Sequence, residues 1–424
     1  MARFLIQGGR RLSGTHRAPG NKNAVLPMLA ASVLTDEPVR LRNIPLIEDV
    51  HTMLALLAEL GVNVELRGHT VSLCAAGLRR RRLNPDLCRK VRSSILFAGP
   101  MSARHGRVTL FPPGGDVIGR RRLDTHFEAL RRLGIRVQGQ QAYRFECRSL
   151  RPARILLDEA SVTATENVIL AAVLAPGGTT VFNAACEPHV QDLCRMLNRM
   201  GAHITGIGTN YLKIRGVETL HGVRHRVAPD YIDTAGFVAA AALTGGELTV
   251  KNAPEDQLDV IARPFARLGV AWTVRNGALS LPAGQRLRVA NDFGAAVPKI
   301  EDGPWPNYPS DLMSVALVLS TQAHGTVLFF EKMFESRMYF VDRLIEMGAR
   351  IVQCDPHRVL VTGPAHLHGI QMSSPDIRAG MALLLAALCA RGQSVVHNAE
   401  SIDRGYERVD QELRRLGADI IRVE

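Results

Sequence analysis

GTTVFNAACEPHVQDLCRMLNRMGAHITGIGTNYLKI, residues 178–214, decides the fold. It opens on an apolar strand, GTTVFNA, and passes through a polar loop. An amphipathic helix follows and ends at Leu-Asn-Arg-Met-Gly, and the stretch closes on a second apolar strand. The same order recurs at 37–73, 106–147, 246–281, 325–361 and 392–424, so the chain carries six copies. Their helix ends share one signature: LAELGVNV (57–64), LRRLGIRV (130–137), LNRMGAHI (197–204), FARLGVAW (265–272), LIEMGARI (344–351) and LRRLGADI (413–420). A fixed period of roughly 70 residues calls for a repeat reading before any other. Equivalent loops of a repeat fold lie on equivalent faces, so residues distant in sequence can converge.

A second element precedes each copy. NKNAVLPMLAASVL (21–34), VRSSILFAGPMSA (91–103), VTATENVILAAVLA (162–175), PDYIDTAGFVAAAAL (229–243), YPSDLMSVALVLS (308–320) and PDIRAGMALLLAALCA (375–390) are small-residue apolar helices. Helices so poor in charge are buried all round. Each repeat is therefore expected to be α/β: a core helix, then strand, loop, surface helix and strand. The polar first turns stand apart. They hold Lys22, Arg92, Glu166, Asp233, Asp311, Asp376 and Arg378. A helix N-terminus offers free N–H groups and a positive dipole end, suiting capping carboxylates and bound anions alike.

Six repeats divide most simply into two domains of three. Breaks near APGNK (18–22) and VAPDY (227–231) place residues 1–21 and 230–424 in one discontinuous domain and 22–229 in the other. A hydrophobic content of 46% with well-mixed charge is globular rather than disordered. The net charge of +12 comes almost wholly from arginine, since only six lysines are present. Arginine grips phosphate and carboxylate bidentately. Aromatics at 5% and the lack of basic tails speak against nucleic acid. Arg92, Arg121, Arg337, Arg378 and Arg404, one per repeat loop or helix start, favour a small anionic substrate. The dense run GLRRRRL (77–83) reads as a solvated loop.

The seven cysteines show no metal-ligand spacing, and Cys194 and Cys389 read as buried apolar residues. Free thiols fit a reducing cytosol. MARFLIQGG reads as a strand, not a leader, and no apolar helix is long enough to span a membrane. A cytoplasmic protein with no cofactor, no metal, no membrane and no nucleic-acid partner is expected.

Several loops carry chemistry. Asn21-Lys22-Asn23 sets a cation and amides at a helix start; it reads equally as a capped surface lysine. PPGGDVIGRRRLDTH (112–126) flanks Asp116 with glycines, as a closing loop would, although turn aspartates are common. DGPWPNYPSDLMS (302–314) puts Asp311 at a helix start, where taken alone it reads first as a cap. FESRMYF (334–340) and IDRGYER (402–408) occupy matching loop positions.

Six pieces in order resemble one family: GNKNAVLPMLAA, the Gly-Gly-acid loop with its following Arg, YPSD before a helix, FESR, PDIRAG and DRGYER. The chain resembles the UDP-N-acetylglucosamine 1-carboxyvinyltransferases of peptidoglycan and cell-wall synthesis over nearly its whole length. The related 5-enolpyruvylshikimate-3-phosphate synthases lack the NKN start. The resemblance implies a two-domain inside-out α/β barrel built from six repeats. It implies transfer of the enolpyruvyl group of phosphoenolpyruvate to the 3-hydroxyl of UDP-GlcNAc, with phosphate released by addition and elimination.

The resemblance also implies roles. Asp116 falls where the proton donor lies, and Asp311 where the hydroxyl is deprotonated or oriented. Lys22, Arg121 and Arg404 match positions that hold the phosphoenolpyruvate phosphate. Arg337 and Arg378 match positions around its carboxylate, Asn23 lies beside it, and Asp376 is near the reacting carbon. Asn23, Arg92, Arg121, Arg122, Leu123, Asp124, Thr125, Asp311 and Met333 fall where the nucleotide sugar is contacted. Two positions depart from the family pattern. Asp116 stands where most members carry Cys; with a reference pKa of about 3.9 against 8.5, it must be raised by burial or by neighbouring anions to act as an acid. Glu159 stands where many members have a basic residue beside the nucleotide. An enolpyruvyl transferase with another acceptor, or a non-catalytic nucleotide-sugar binder, are the alternatives.

Overall fold

The computed structural model describes residues 2–116 and 118–424; Met1 and Val117, which falls within the 112–126 loop, lie outside the described residues. The chain forms two compact units. The first comprises Met1–Pro19, Asp116–Arg120 and Pro229–Glu424, the second Gly20–Gly115 and Arg121–Ala228. Asp116–Arg120 thus groups with the first unit, although the residues on either side of it belong to the second. Ser336 N–H donates to Ile118 O at 3.2 Å, and Arg120 N–H donates to Glu335 Oε2 at 3.1 Å. Gly119, at φ +125°, lies so close to Glu335 that a Cβ there would fall 2.2 Å from its Oε2.

Each repeat builds one small sheet, three to a unit. In the third repeat Gly178–Phe182 pairs antiparallel with Tyr211–Arg215, which pairs in turn with His203–Thr205. The copies therefore close with a two-stranded hairpin rather than the single strand expected. A further strand joins parallel at the opening strand: Arg154–Leu156 here, Ser13–Arg17 beside Glu247–Lys251, and Lys299–Glu301 beside Gly325–Phe330. The second repeat keeps only a trace of this strand, a parallel bridge from Arg82 to Thr109. That bridge lies in the arginine run, whose side chains are otherwise mainly exposed, with Arg82 stacked over Phe111 at 4.9 Å. The sixth copy ends after one closing strand. Arg3–Gln7 supplies the missing partner, pairing antiparallel with both Gln393–His397 and Asp419–Val423. This pairing ties the N-terminal strand to the last repeat.

The small-residue helices form the cores. In the first unit Tyr231–Leu243, Ser310–Gln322 and Ile377–Cys389 each pack on the other two. Nearly every residue of the three is buried, because Ala, Val, Leu and Gly let helix axes approach closely and leave no charge to solvate. In the second unit Lys22–Ala31 and Val162–Ala172 are equally buried. The expected helix at 91–103 is broken into a 3-10 turn, Arg92–Phe97, and a helix, Ala98–His105. Pro100 falls in the first turn of the latter, where its missing N–H costs nothing. Amphipathic helices such as Glu48–Leu60 and Pro188–Arg199 pack on the core helix Lys22–Ala31, and the Leu-Gly or Met-Gly signature ends each of the six on a glycine at positive φ, such as Gly61 at +99°. All seven cysteines are free. Cys194 is buried as expected, whereas Cys389 at the end of its helix is only partly buried; desolvation pushes both thiols up to about 12. Among the described residues no helix is long and apolar enough to cross a membrane.

Candidate active site

In the first unit the tops of two core helices and two loops meet around one carboxylate. Asp311 lies in the first turn of Ser310–Gln322, but that helix has Pro309 at its cap position and no side-chain cap. The capping role that Asp311 suggests in isolation is thus not the one it fills. Its Oδ1 accepts from Arg337 Nη2 at 2.8 Å and its Oδ2 from Arg378 Nη2 at 3.0 Å. Both arginines are nearly sealed, at 3% and 5% exposure, so the shared carboxylate is what holds two guanidiniums side by side.

Asp376 is the true cap of its helix. Its Oδ1 accepts Arg378 N–H at 2.8 Å and Ala379 N–H at 3.0 Å, and Arg337 Nη1 lies 4.0 Å away. Burial pushes the Asp376 carboxyl up, against the pull of Arg337. Burial works against the charge of Arg378, but Asp311, Tyr406 and Asp230 outweigh it and raise its pKa above the ordinary value. Tyr406, whose hydroxyl accepts from Arg378 Nη1 at 3.4 Å, is itself pushed up to about 12 by burial. Asp230 caps the Tyr231–Leu243 helix and is pushed up to about 6, chiefly by burial. Arg404 donates to Asp116 Oδ1 at 2.6 Å. Met333, the other residue of this unit matched to the nucleotide sugar, is exposed. Tyr406 and Asp230 were not singled out from sequence. The DRGYER motif contains the first, and the PDY before a helix marks the second.

In the second unit Asn21, not Lys22, is the capping residue: its side chain accepts Ala24 N–H at 3.0 Å. Lys22 is buried and pairs with Asp49 at 2.8 Å, so the surface-lysine alternative does not hold. Asn23 is half-buried beside it. Arg92 turns its guanidinium on the backbone, donating from Nη2 to Arg121 O at 2.8 Å and Arg122 O at 3.1 Å. Burial and then the neighbouring Arg121 lower its pKa to about 10. Gly115 sits at φ +110°, and a Cβ there would fall only 3.0 Å from Arg92 Cβ, so a side chain is disfavoured both by the backbone and by the space. Gly114 is tighter still, with a Cβ there only 1.6 Å from Arg89 O. These glycines admit close backbone contact.

Arg122 is engaged by Asp158, and Thr125 Oγ1 donates to the same carboxylate at 2.6 Å. Thr125 also lies 3.3 Å from Glu159 Oε1. Asp124 opens the helix Asp124–Arg132 and is exposed; Leu123 precedes it and packs on the core. A cavity of about 220 Å³ lies between this helix and the strand Arg154–Leu156, lined by Thr125, Arg132, Arg154 and Asp158 among others. Beneath it His126 is sealed between Thr163 and Asn167, and burial, with Arg92 and Arg121, lowers its pKa to about 3. Among the described residues, no group of three or more His, Cys, Asp or Glu is placed to hold a metal.

The comparisons with known proteins agree with one another. The family described as EPSP synthase (3-phosphoshikimate 1-carboxyvinyltransferase) matches residues 6–413. The UDP-N-acetylglucosamine 1-carboxyvinyltransferase of Treponema denticola is 50% identical over 421 residues, covering 99% of both chains. The enzyme of the same name from Treponema pallidum is 51% identical over the same length, again covering 99% of both. Among solved structures, the enolpyruvyl transferase NikO from Streptomyces tendae superposes with a TM-score of 0.88 at 25% identity, over 100% of this chain and 99% of that one. EPSP synthase from Acinetobacter baumannii shares the fold, with a TM-score of 0.78 at 18% identity over 100% of both. The two-unit enolpyruvyl transferase fold and half-identity along the full length lead to one conclusion: this chain belongs to the EPSP synthase family, and within it to the UDP-N-acetylglucosamine 1-carboxyvinyltransferases.

Proposed function

We propose that the chain transfers the enolpyruvyl group of phosphoenolpyruvate to the 3-hydroxyl of UDP-GlcNAc and releases phosphate, as a cytoplasmic enzyme of peptidoglycan synthesis. The observation that carries this reading is the Arg337–Asp311–Arg378 clamp, with Asp376 at the adjoining helix start and Arg404 on Asp116. Phosphoenolpyruvate brings a carboxylate and a phosphate, and preformed guanidiniums in a water-poor setting stabilise such charge without reorganising. Arg337 and Arg378 are assigned to the carboxylate and Arg404 to the phosphate. Lys22 and Arg121 keep the phosphate roles that the family resemblance gives them. Asp311 is oriented on both oxygens and serves the acceptor hydroxyl as base or orienter, and Asp376 flanks the reacting carbon.

Asp116 is the proposed acid. Arg404 donates to its Oδ1 at 2.6 Å, so the residue assigned to the phosphate sits directly against the residue assigned to deliver a proton to the methylene carbon.

One observation favours the reading with another acceptor. Arg122 and Thr125, assigned to the nucleotide sugar, are both occupied by Asp158, with Glu159 adjacent. Phosphate release from phosphoenolpyruvate, measured with UDP-GlcNAc, with shikimate 3-phosphate and with no acceptor, decides. Release only with UDP-GlcNAc, lost in Asp116→Ala, supports the proposal. Binding of UDP-GlcNAc without release under any condition overturns it in favour of a different acceptor or a non-catalytic binder.

A further inference from the structure

Asp302 and Glu331 have no role in the chemistry above, yet both are fully buried at 0% exposure. They follow the parallel strands Lys299–Glu301 and Gly325–Phe330, whose last residues, Glu301 and Phe330, are register partners. The next residue of each chain therefore arrives side by side. Asp302 Oδ1 accepts Lys332 N–H at 2.5 Å. Glu331 Oε1 accepts Met333 N–H and Phe334 N–H, each at 3.1 Å, and the Ser310 hydroxyl lies 3.0 Å from both Glu331 oxygens. Among the described residues Asp302 Oδ2 meets no donor.

The group at hand to satisfy that oxygen is the Glu331 carboxyl, and it can do so only as an acid. Two ionised carboxylates in a sealed pocket repel, whereas one proton between them makes a hydrogen bond. In keeping with this, burial and then Asp302 push the Glu331 carboxyl up to about 9. The pair does not stand alone. Ser310 accepts Arg337 Nε–H at 3.3 Å, and Arg337 Nη2 reaches Asp311. The same guanidinium lies over the Phe334 ring, whose own N–H Glu331 fixes.

We propose that Asp302 and Glu331 share one proton and act as a positioning pair, setting Arg337, and through it Asp311, by way of Ser310 and the Met333–Phe334 backbone. The other charged or titratable groups facing the pair are few. His357 Nδ1 lies 2.8 Å from Glu331 O, and the Lys332 ammonium is drawn to Glu301 at 3.2 Å. With the proton gone, a second buried negative charge competes with Asp311 for Arg337.

The kinetic part of this inference rests on the enolpyruvyl-transfer reading; the folding part does not. The first measurement is Tm from pH 6 to 10, without substrate, for the wild type and Asp302→Asn. The amide donates to Glu331 and removes the Asp302 share of its raised pKa, leaving only the share that comes from burial. The raised Glu331 pKa contributes stability that is fully present below its usual value and lost as pH rises through about 9. The wild type should therefore lose Tm relative to Asp302→Asn across that range, and superimposable profiles would overturn the shared proton. The second measurement is steady-state kinetics. Glu331→Ala should raise KM for phosphoenolpyruvate at least about tenfold, with Glu331→Gln recovering most of it. Alanine variants within twofold of an active wild type would overturn the positioning role. If an alanine variant does not fold, the KM of Glu331→Gln and Asp302→Asn above pH 9 decides, since both should hold it where the wild-type value climbs. A wild type without transfer activity sinks the proposed function, while the Tm comparison still judges the pair.

Discussion

Asp311→Ala is the most revealing single change. It leaves Arg337 and Arg378, 3% and 5% exposed, without the carboxylate both grip. Breaking a buried pair by removing one partner costs about 3–5 kcal/mol, because an uncompensated charge stays inside. Two compensations lower the figure here. Arg378 keeps Tyr406, and Arg337 keeps Ser310 and, at 4.0 Å, Asp376. Asp311 is itself a quarter exposed, at 26%, so water reaches the gap. The expected loss is about 2–3 kcal/mol, near the worth of one or two charge-assisted hydrogen bonds. For a unit of this size that is a fall in Tm of roughly 4–12 °C. Differential scanning calorimetry at pH 7 and low salt measures it. Asp311→Asn, which keeps the shape and one acceptor, should fall between. A loss below about 0.5 kcal/mol in Asp311→Ala would refute the reasoning that this carboxylate holds the guanidiniums together.

Three further outcomes follow from the same geometry. Fosfomycin, a thiol-directed epoxide, should leave the wild type active after prolonged incubation, whereas Asp116→Cys should lose activity with time and carry the adduct at residue 116, read by mass spectrometry. His16 is sealed between Asp233 at 2.7 Å and Glu412 at 3.2 Å; burial disfavours its charge, but the two carboxylates outweigh it and raise its pKa to about 9. Its contribution, on the order of 3 kcal/mol, is present below pH 6.5 and lost as pH rises through about 9, so His16→Gln should flatten that part of the stability curve in urea titrations. Arg92→Ala frees the carbonyls of Arg121 and Arg122, and should raise KM for UDP-GlcNAc several-fold with a smaller effect on kcat; an unchanged KM would show that this backbone clamp is not needed.

The repeats, the buried helices and the surface helices were legible in residues 178–214 and their five relatives, because each depends on local periodicity. A helix of Ala, Leu and Val can only be buried, and an alternating strand can only turn one face inward. The breaking of the helix at Arg92–Phe97 and the closing hairpins were less legible, since short apolar runs suit several local conformations. Residue types in the candidate site were legible as motifs. Their partners were not.

What the sequence by itself determined is therefore the α/β repeat architecture, its division into threes, and a set of charged residues at helix starts and loops. Only the tertiary structure decided which charge meets which. Asp311 binds arginines 26 and 67 residues away, and Asp116 binds one 288 residues away. Lys22 is sealed on Asp49, and Asp302 meets Glu331 because two parallel strands end in register. The strand Arg3–Gln7 closes the last sheet at the far end of the chain. The physical reason is range. Burial of one face is set within a few residues, whereas ion pairing in a low-dielectric interior is set by whichever groups the packed repeats bring within 3–4 Å.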